Sequence, residues 1–269
     1  MPEPSLQQQP STWDTVASGY AEEMLQWHAF VDEALRVLPV RSHERVLDVA
    51  CGPGNLALAA ARHAARVDAV DFSPGMIAEL AAQAARRGAS NVHGAVMDAA
   101  NLAFPDATFD AAFCMFGFFF FPDRARAFRE LHRVLRPGGR LLVVTWGPIE
   151  RRPAMKIAFD AAAEALPQAP RPTKGDLQDP DECVRELSEG GFRDVATHAF
   201  TGSLHAGSPE EYLEATIRSA APLAVMSKTL PPAAWEGAKA RLLEAIRKRI
   251  PAGGAELTAE ALFTLGART

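Results

Sequence analysis

The stretch DVACGPGN, residues 48–55, sets a carboxylate and a pair of glycines where an apolar strand gives way to an alanine-rich helix. Glycines in such a turn let a ligand approach the backbone, and the helix that follows opens with amide donors that have no partner of their own. Asp71 closes the next candidate strand, about 20 residues on, where a carboxylate can accept hydrogen bonds from both hydroxyls of a ribose. Together these residues describe a site for a nucleoside-bearing cofactor. The third glycine of the dinucleotide fingerprint is replaced by Ala57, a change the pattern tolerates, so hydride chemistry stays open at this point.

A second stretch, CMFGFFFFPD at 114–123, sets four phenylalanines in a row. It follows a candidate strand, TFDAAFCMF (108–116), whose carboxyl end should lie beside the switch point where open α/β sheets bind ligands. A membrane patch would require a contiguous exposed apolar surface. Burial explains the run better, with some rings in the sheet–helix core and others under a cap. Phe116 or Phe118 is expected to face the molecule acted upon.

The elements that would position these residues alternate. Strands are expected at RVLDVA (45–50), VDAVD (67–71), NVHGAVMD (91–98), 108–116 and RLLVVTW (140–146), with helices between them. Ser73 and Pro74 open one helix and Gly88 closes it; Asp123 caps another. That rhythm implies a parallel sheet covered on both faces. A sixth strand is expected at RDVATHAF (193–200) and a seventh at the end of the chain. The expected organisation is a tail and lid start over 1–20, a cofactor-binding core over 21–146, and cap insertions at 147–178 and 208–250. The core resumes over 179–207 and ends in a last strand within 251–269. An N-terminal helix over 21–38 places Met24, His28, Val31, Leu35 and Leu38 on one stripe. The fold class is α/β, a Rossmann-like seven-stranded mostly parallel sheet with a helical cap.

Composition narrows the partners. The 269 residues are 48% hydrophobic and carry a net charge of −5, with no basic groove of the kind that tracks phosphates, which argues against nucleic acid. Cys51, Cys114 and Cys183 lie far apart, show no metal spacing and suit a reducing compartment. The polar start MPEPSLQQQPSTW lacks the features of a signal peptide, and no run of 18 apolar residues occurs, so a cytoplasmic protein without a membrane partner is expected.

Taken in order, VLDVACGPGN, VDFSPGMI, MDAANLAFPDATFD and ELHRVLRPGGRLLVVTW resemble the class I S-adenosylmethionine-dependent methyltransferases. Within that class the resemblance is to the branch typified by the ubiquinone and menaquinone biosynthesis C-methyltransferases, and it is strongest over 13–146. It implies S-adenosylmethionine as cofactor, with Asp48, Ala50, Gly52 and Gly54 around its methionyl part. Asp71 would take the ribose, Phe72 and Met76 would flank the adenine, and Asp98 with Ala99 would meet the adenine edge. Cys114 or Met115 would supply a backbone contact near the sulfonium, and Tyr20 stands where relatives often place an aromatic lid.

The expected activity is methyl transfer to oxygen or carbon of an apolar small molecule, in quinone or natural-product biosynthesis, within a cavity lined by Trp27, Tyr212 and Trp235 of the cap. A nicotinamide-dependent oxidoreductase and a catalytically silent cofactor-binding module are the alternatives. Whether methyl transfer needs a general base depends on the acceptor. No base is assigned; His28, on the stripe of the N-terminal helix, is the candidate. No metal is expected.

Overall fold

The structure is a computed structural model that describes residues 6–23, 27–166 and 177–269. Seven strands, β1 (Arg45–Val49), β2 (Arg66–Asp71), β3 (Val92–Val96), β4 (Phe109–Met115), β5 (Leu135–Trp146), β6 (Arg193–Ala206) and β7 (Ala255–Ala267), form one sheet in the order 3-2-1-4-5-7-6. The pairings β1–β2, β1–β4, β2–β3 and β4–β5 are parallel, whereas β7 runs antiparallel between β5 and β6. The order reverses between β1 and β4, so their carboxyl ends open a crevice.

β1 shows why the centre of the sheet reads as a continuous apolar run. Val46 packs into the core on one face, and Leu47 and Val49 into the core on the other. A strand covered on both faces gains nothing from alternating polarity. Helices α1 (Pro10–Glu23), α2 (His28–Val37), α3 (Asn55–Ala60), α4 (Pro74–Arg87), α5 (Arg124–Val134) and α7 (Pro180–Glu189) surround it. The caps expected at Ser73, Gly88 and Asp123 are formed, and Asp179 adds another. The Ser73 hydroxyl accepts the Met76 amide, Gly88 closes α4 at φ 64°, and Asp123 and Asp179 cap α5 and α7.

Two expectations about the ends of the core are corrected. Helix α1 begins at Pro10 rather than after a tail, and α2 is a separate helix; Met24, of the expected single stripe, lies outside the described residues. The buried face of α1 is Thr12, Val16, Ala17 and Ala21, a stripe too short in side chain to stand out as a helical period. β6 runs on to Ala206, because β7 pairs with it as far as Ala255.

The stretch from 208 to 250 is three helices: α8 (Pro209–Ser219), α9 (Ala221–Thr229) and α10 (Pro232–Arg247). With α6 (Pro153–Ala165) they bury a core of their own, built on Leu213, Leu242, Ile246 and Ile250. Part of the first insertion, 167–176, lies outside the described residues.

Candidate functional site

The turn after β1 is the rigid corner of the site. Ala50 adopts φ 52° and Gly52 φ 53°, left-handed values that a residue with a side chain rarely holds. Gly117, in the turn after β4, packs close to Ala50: any Cβ there would come within 2.5 Å of the Ala50 Cβ. The two turns at the crevice therefore approach each other too closely for a side chain at Gly117.

Asp71 completes the corner. Its Oδ2 accepts the Gly52 amide at 2.9 Å and its Oδ1 the Ser73 amide at 2.9 Å, leaving further lone pairs on both oxygens. Burial raises its pKa while the Ser73 and Gly52 amides lower it. Asp48 sits behind the turn, 2% exposed, with its Oδ2 buried and unpartnered. Burial pushes its pKa up to about 8, against the pull of the Ala57 amide and with a further push from Asp71. The Tyr20 hydroxyl is pushed up to about 12, mainly by burial and then by the charge of Asp71.

A cavity of about 750 Å³ opens above this corner. Its lining includes the expected Tyr20, Asp48, Ala50, Gly52, Asp71, Phe72, Met76, Asp98, Ala99, Met115 and Phe116. Asp98 folds back on its own loop, its Oδ1 accepting the Ala100 amide at 2.8 Å, which turns the chain after β3 around the cavity edge. Four expected site residues stand elsewhere. Gly54 is buried away from the cavity, where a Cβ would meet Leu80 Cδ1 at 2.1 Å, so its role is the close approach of α4. Cys114 is fully buried, leaving Met115 as the wall residue of that pair. Phe118 is fully buried and stacks on Phe128 with centroids 4.1 Å apart. His28 is exposed and outside the lining, and no histidine is among the lining residues.

The phenylalanine run divides by helical geometry. Phe118–Phe120 form a single 3₁₀ turn, in which residues three apart come together: Phe118 and Phe121 have centroids 4.8 Å apart. Phe118 anchors that turn in the core, while Phe120 and Phe121 reach the cavity. Phe116 precedes the turn at φ 57°, an outlier for a bulky residue. Its amide donates to the Val144 carbonyl at 2.8 Å and its ring stacks on Trp146 at 3.9 Å. Trp27 meets Trp146 edge-on at 4.9 Å, so Trp27 and Phe116, which line the cavity, are both backed by Trp146. Of the other cap aromatics, Tyr212 and Trp235 do not line the cavity; the Tyr212 hydroxyl donates to the Ala154 carbonyl at 2.6 Å. Phe116→Ala is expected to lower kcat/KM for the acceptor about 10- to 100-fold, as lost stacking and burial imply. Cofactor affinity should stay within about threefold on the same grounds; a matching fall in both would place Phe116 with the cofactor instead.

Helix α1 covers the cavity, packed on α4, α8 and α9. Trp13, which the sequence reading passed over, lines the cavity and meets Phe120 edge-on at 5.2 Å. Its neighbour Asp14 ties the cover down. Asp14 Oδ1 accepts the Ser73 hydroxyl at 2.6 Å and the Gly75 amide at 2.7 Å. Because the Ser73 amide holds Asp71, the cover and the corner at Asp71 share one residue. Asp14→Ala is expected to speed cofactor dissociation about tenfold or more, the scale of losing hydrogen bonds to a charged acceptor. Stopped-flow fluorescence of Trp13 would report it, and an unchanged rate would reduce Asp14 to a helix cap.

A family model described as a methyltransferase domain matches residues 46–139, which holds β1 to the start of β5. The demethylmenaquinone methyltransferase of Thermus thermophilus is 43% identical over 127 residues, 46% of this chain and 56% of that protein. The demethylmenaquinone methyltransferase of Mycobacterium bovis BCG is 32% identical over 197 residues, 67% of this chain and 80% of that one. The chain belongs to the class I S-adenosylmethionine-dependent methyltransferases, in their menaquinone and ubiquinone branch. It spans about half the length of several curated relatives it matches, 56% for the Thermus protein and 45% for one from Deinococcus radiodurans. The fold is shared with the YcgJ protein of Bacillus subtilis, at a TM-score of 0.59 and 19% identity over 90% of this chain and 98% of that one. Membership of the methyltransferase class leaves the nicotinamide-dependent alternative without support.

The residues fit the class's cofactor. An orphaned buried carboxyl oxygen at Asp48, a paired carboxylate at Asp71 and an apolar cleft between Phe72, Met76 and Ala99 make a donor-hungry, acid-lined pocket suited to a cationic nucleoside.

Proposed function

We propose that the protein transfers a methyl group from S-adenosylmethionine to an oxygen or carbon of an apolar small molecule bearing a flat ring, of the quinone type that its relatives' names indicate. The observation that carries this reading is the pair Trp27 and Phe116 in the wall of the cavity that holds Asp48 and Asp71, both packed against Trp146 behind them. When bound, the cofactor supplies a methyl group on a sulfonium, an electrophile whose sulfur leaves with the bonding pair.

The chain's part is alignment and exclusion of water. Asp71 would take the ribose hydroxyls, Asp98 and Ala99 the adenine edge, and Asp48 with the Ala50–Gly52 backbone the methionyl end. Phe72 and Met76 would sandwich the base, and Tyr20 and Trp13 would close the cover. Phe116, backed by Trp146, and Trp27 would hold the acceptor ring against the methyl group. Orientation of this kind is worth up to roughly 7–11 kcal/mol of the barrier. No side chain is assigned the acceptor's proton, since the lining holds carboxyls, aromatics and Arg126 but no histidine. A phenol or hydroquinone close to its own pKa loses that proton to water at little cost. Among the described residues no helix is long and apolar enough to cross a membrane.

Transfer of labelled methyl groups into a host-cell extract, fractionated into organic-soluble, protein and nucleic-acid pools, tests the reading. Label in the organic pool, lost with Asp71→Asn, is the expected result. Label confined to macromolecules would overturn the small-molecule acceptor.

A further inference from the structure

No residue of the 208–250 stretch lines the cavity, yet two of its helices grip the cover. Arg218, in the last turn of α8, donates from Nε and Nη2 to Glu23 Oε1 at 3.0 and 2.5 Å. Glu23 is the last residue of α1, one turn beyond Tyr20, and is only 8% exposed. A Cβ at Gly19 would lie 3.1 Å from both the Arg218 Cβ and its carbonyl oxygen, so α1 and α8 cross in close contact. On the next helix, Lys228 of α9 donates from Nζ to the Thr15 carbonyl at 2.9 Å.

The same helices share a core with the cavity wall. Val16 and Ala17 of α1, Ala221 and Ala224 of α9 and Met76 of α4 form one buried cluster, against which Trp13 and Tyr20 pack. Met76, Trp13 and Tyr20 all line the cavity. Elsewhere α8 is rooted in the cap, where Leu213 packs in a core with Leu242 and Ile246. The two ends of α1 are therefore tied to different bodies, Asp14 to the start of α4 and Glu23 to α8. Removing the Arg218 guanidinium takes two charge-assisted hydrogen bonds from a buried carboxylate.

We propose that Arg218 is a positioning residue for the cofactor: through Glu23 it braces the α1 cover, so that α8 and α9 set how long S-adenosylmethionine stays bound without touching it. This rests on the reading that Tyr20 and Trp13 close over the cofactor. For α1 to lift, Glu23 must leave Arg218 or α8 must move with it. Either way, exit of the cofactor is coupled to helices outside the cavity.

Release of tritiated S-adenosylmethionine from the full chain into an excess of unlabelled cofactor tests the brace. Wild type, Arg218→Met, Arg218→Lys and Ile250→Val would be compared. Ile250 is a control for general loosening of the cap, since it is buried in a cap core that includes no residue of α1. Arg218→Met is expected to release the cofactor about 5- to 20-fold faster than wild type. Arg218→Lys keeps the charge without the fork and should fall between the two, about two- to fourfold faster. Ile250→Val should lower the Tm yet leave release within about twofold of wild type. An unchanged rate in Arg218→Met, or an equal acceleration in Ile250→Val, would overturn the brace. If the methionine variant does not fold, amide hydrogen exchange of wild type decides. The cofactor should slow exchange in α8 and α9 as well as in α1, and protection of α1 without α8 and α9 would overturn the proposal. Failure of the underlying reading looks different: wild type would then not bind S-adenosylmethionine at all, which overturns the cofactor site and the brace together, whereas tight binding with release indifferent to Arg218 overturns the brace alone.

Discussion

Asp71→Asn is expected to weaken binding of S-adenosylhomocysteine by about 100-fold or more, measured by calorimetry at neutral pH. The carboxylate is asked to accept two ribose hydroxyls, and hydrogen bonds to a charged group are worth about 1.5–3 kcal/mol each. The amide nitrogen of asparagine would also turn a donor toward either the Gly52 or the Ser73 amide, both of which now donate to carboxylate oxygens at 2.9 Å. Loss of either contact loosens the turn that holds Ala50 and Gly52 in left-handed conformations. A fall in affinity of less than about threefold would show that the ribose is held elsewhere and would remove the residue on which the cofactor site is built. Because Ser73 also bonds Asp14, the same substitution should make the α1 cover easier to open, visible as faster proteolysis within residues 10–23.

The second large effect belongs to Asp48. Burial raises its pKa from 3.8 to about 8, so the ligand-free folded chain keeps a proton there that the unfolded chain has lost. A raised folded pKa contributes stability that is fully present below the unfolded value near 4 and is lost as pH rises through 8. At about 1.4 kcal/mol per unit, the loss across that window is on the order of 5 kcal/mol. Asp48→Asn cannot ionise and should abolish this slope, leaving the ligand-free protein more stable than wild type by about 3–5 kcal/mol at pH 8.5 and about equal at pH 4. Denaturant unfolding at pH 5.5 and 8.5 reads the difference, and parallel slopes in the two proteins would refute a protonated Asp48. Linkage adds a companion result. A cation brought near the unpartnered Oδ2 would favour the charged carboxylate, so cofactor binding at pH 7 should release up to about one proton from wild type and none from Asp48→Asn. Titration calorimetry in two buffers of different ionisation enthalpy measures that release.

Burial pushes the pKa of both acids up, but they differ in how their oxygens are partnered. Asp71 keeps two amide donors that hold its charge against burial, whereas Asp48 has the Ala57 amide on one side and nothing on Oδ2. Burial raises both, but only Asp48 has an oxygen left without any partner to wait for a counter-charge. Sequence spacing alone treats both as ligand carboxylates and cannot separate them.

What the sequence determined was everything written in local chemistry. The apolar β1 run, the caps at Ser73, Asp123 and Asp179, and the glycine turn followed by Asp71 each follow from rules spanning a few residues. Set in order, they specify the parallel sheet, its switch point and the cofactor corner, and the four ordered motifs suffice to name the class. What only the tertiary structure decided was which side of a wall each residue stands on. Gly54 reads as a ligand contact but serves the approach of Leu80; Phe118 reads as pocket but stacks on Phe128, while Phe120 takes its place. A 3₁₀ turn sorts neighbouring identical rings by a rotation that composition does not encode. The cover was hidden for another reason: the buried stripe of α1 is made of threonine, valine and alanines, whose burial is rewarded only by α4, α8 and α9 arriving from far along the chain.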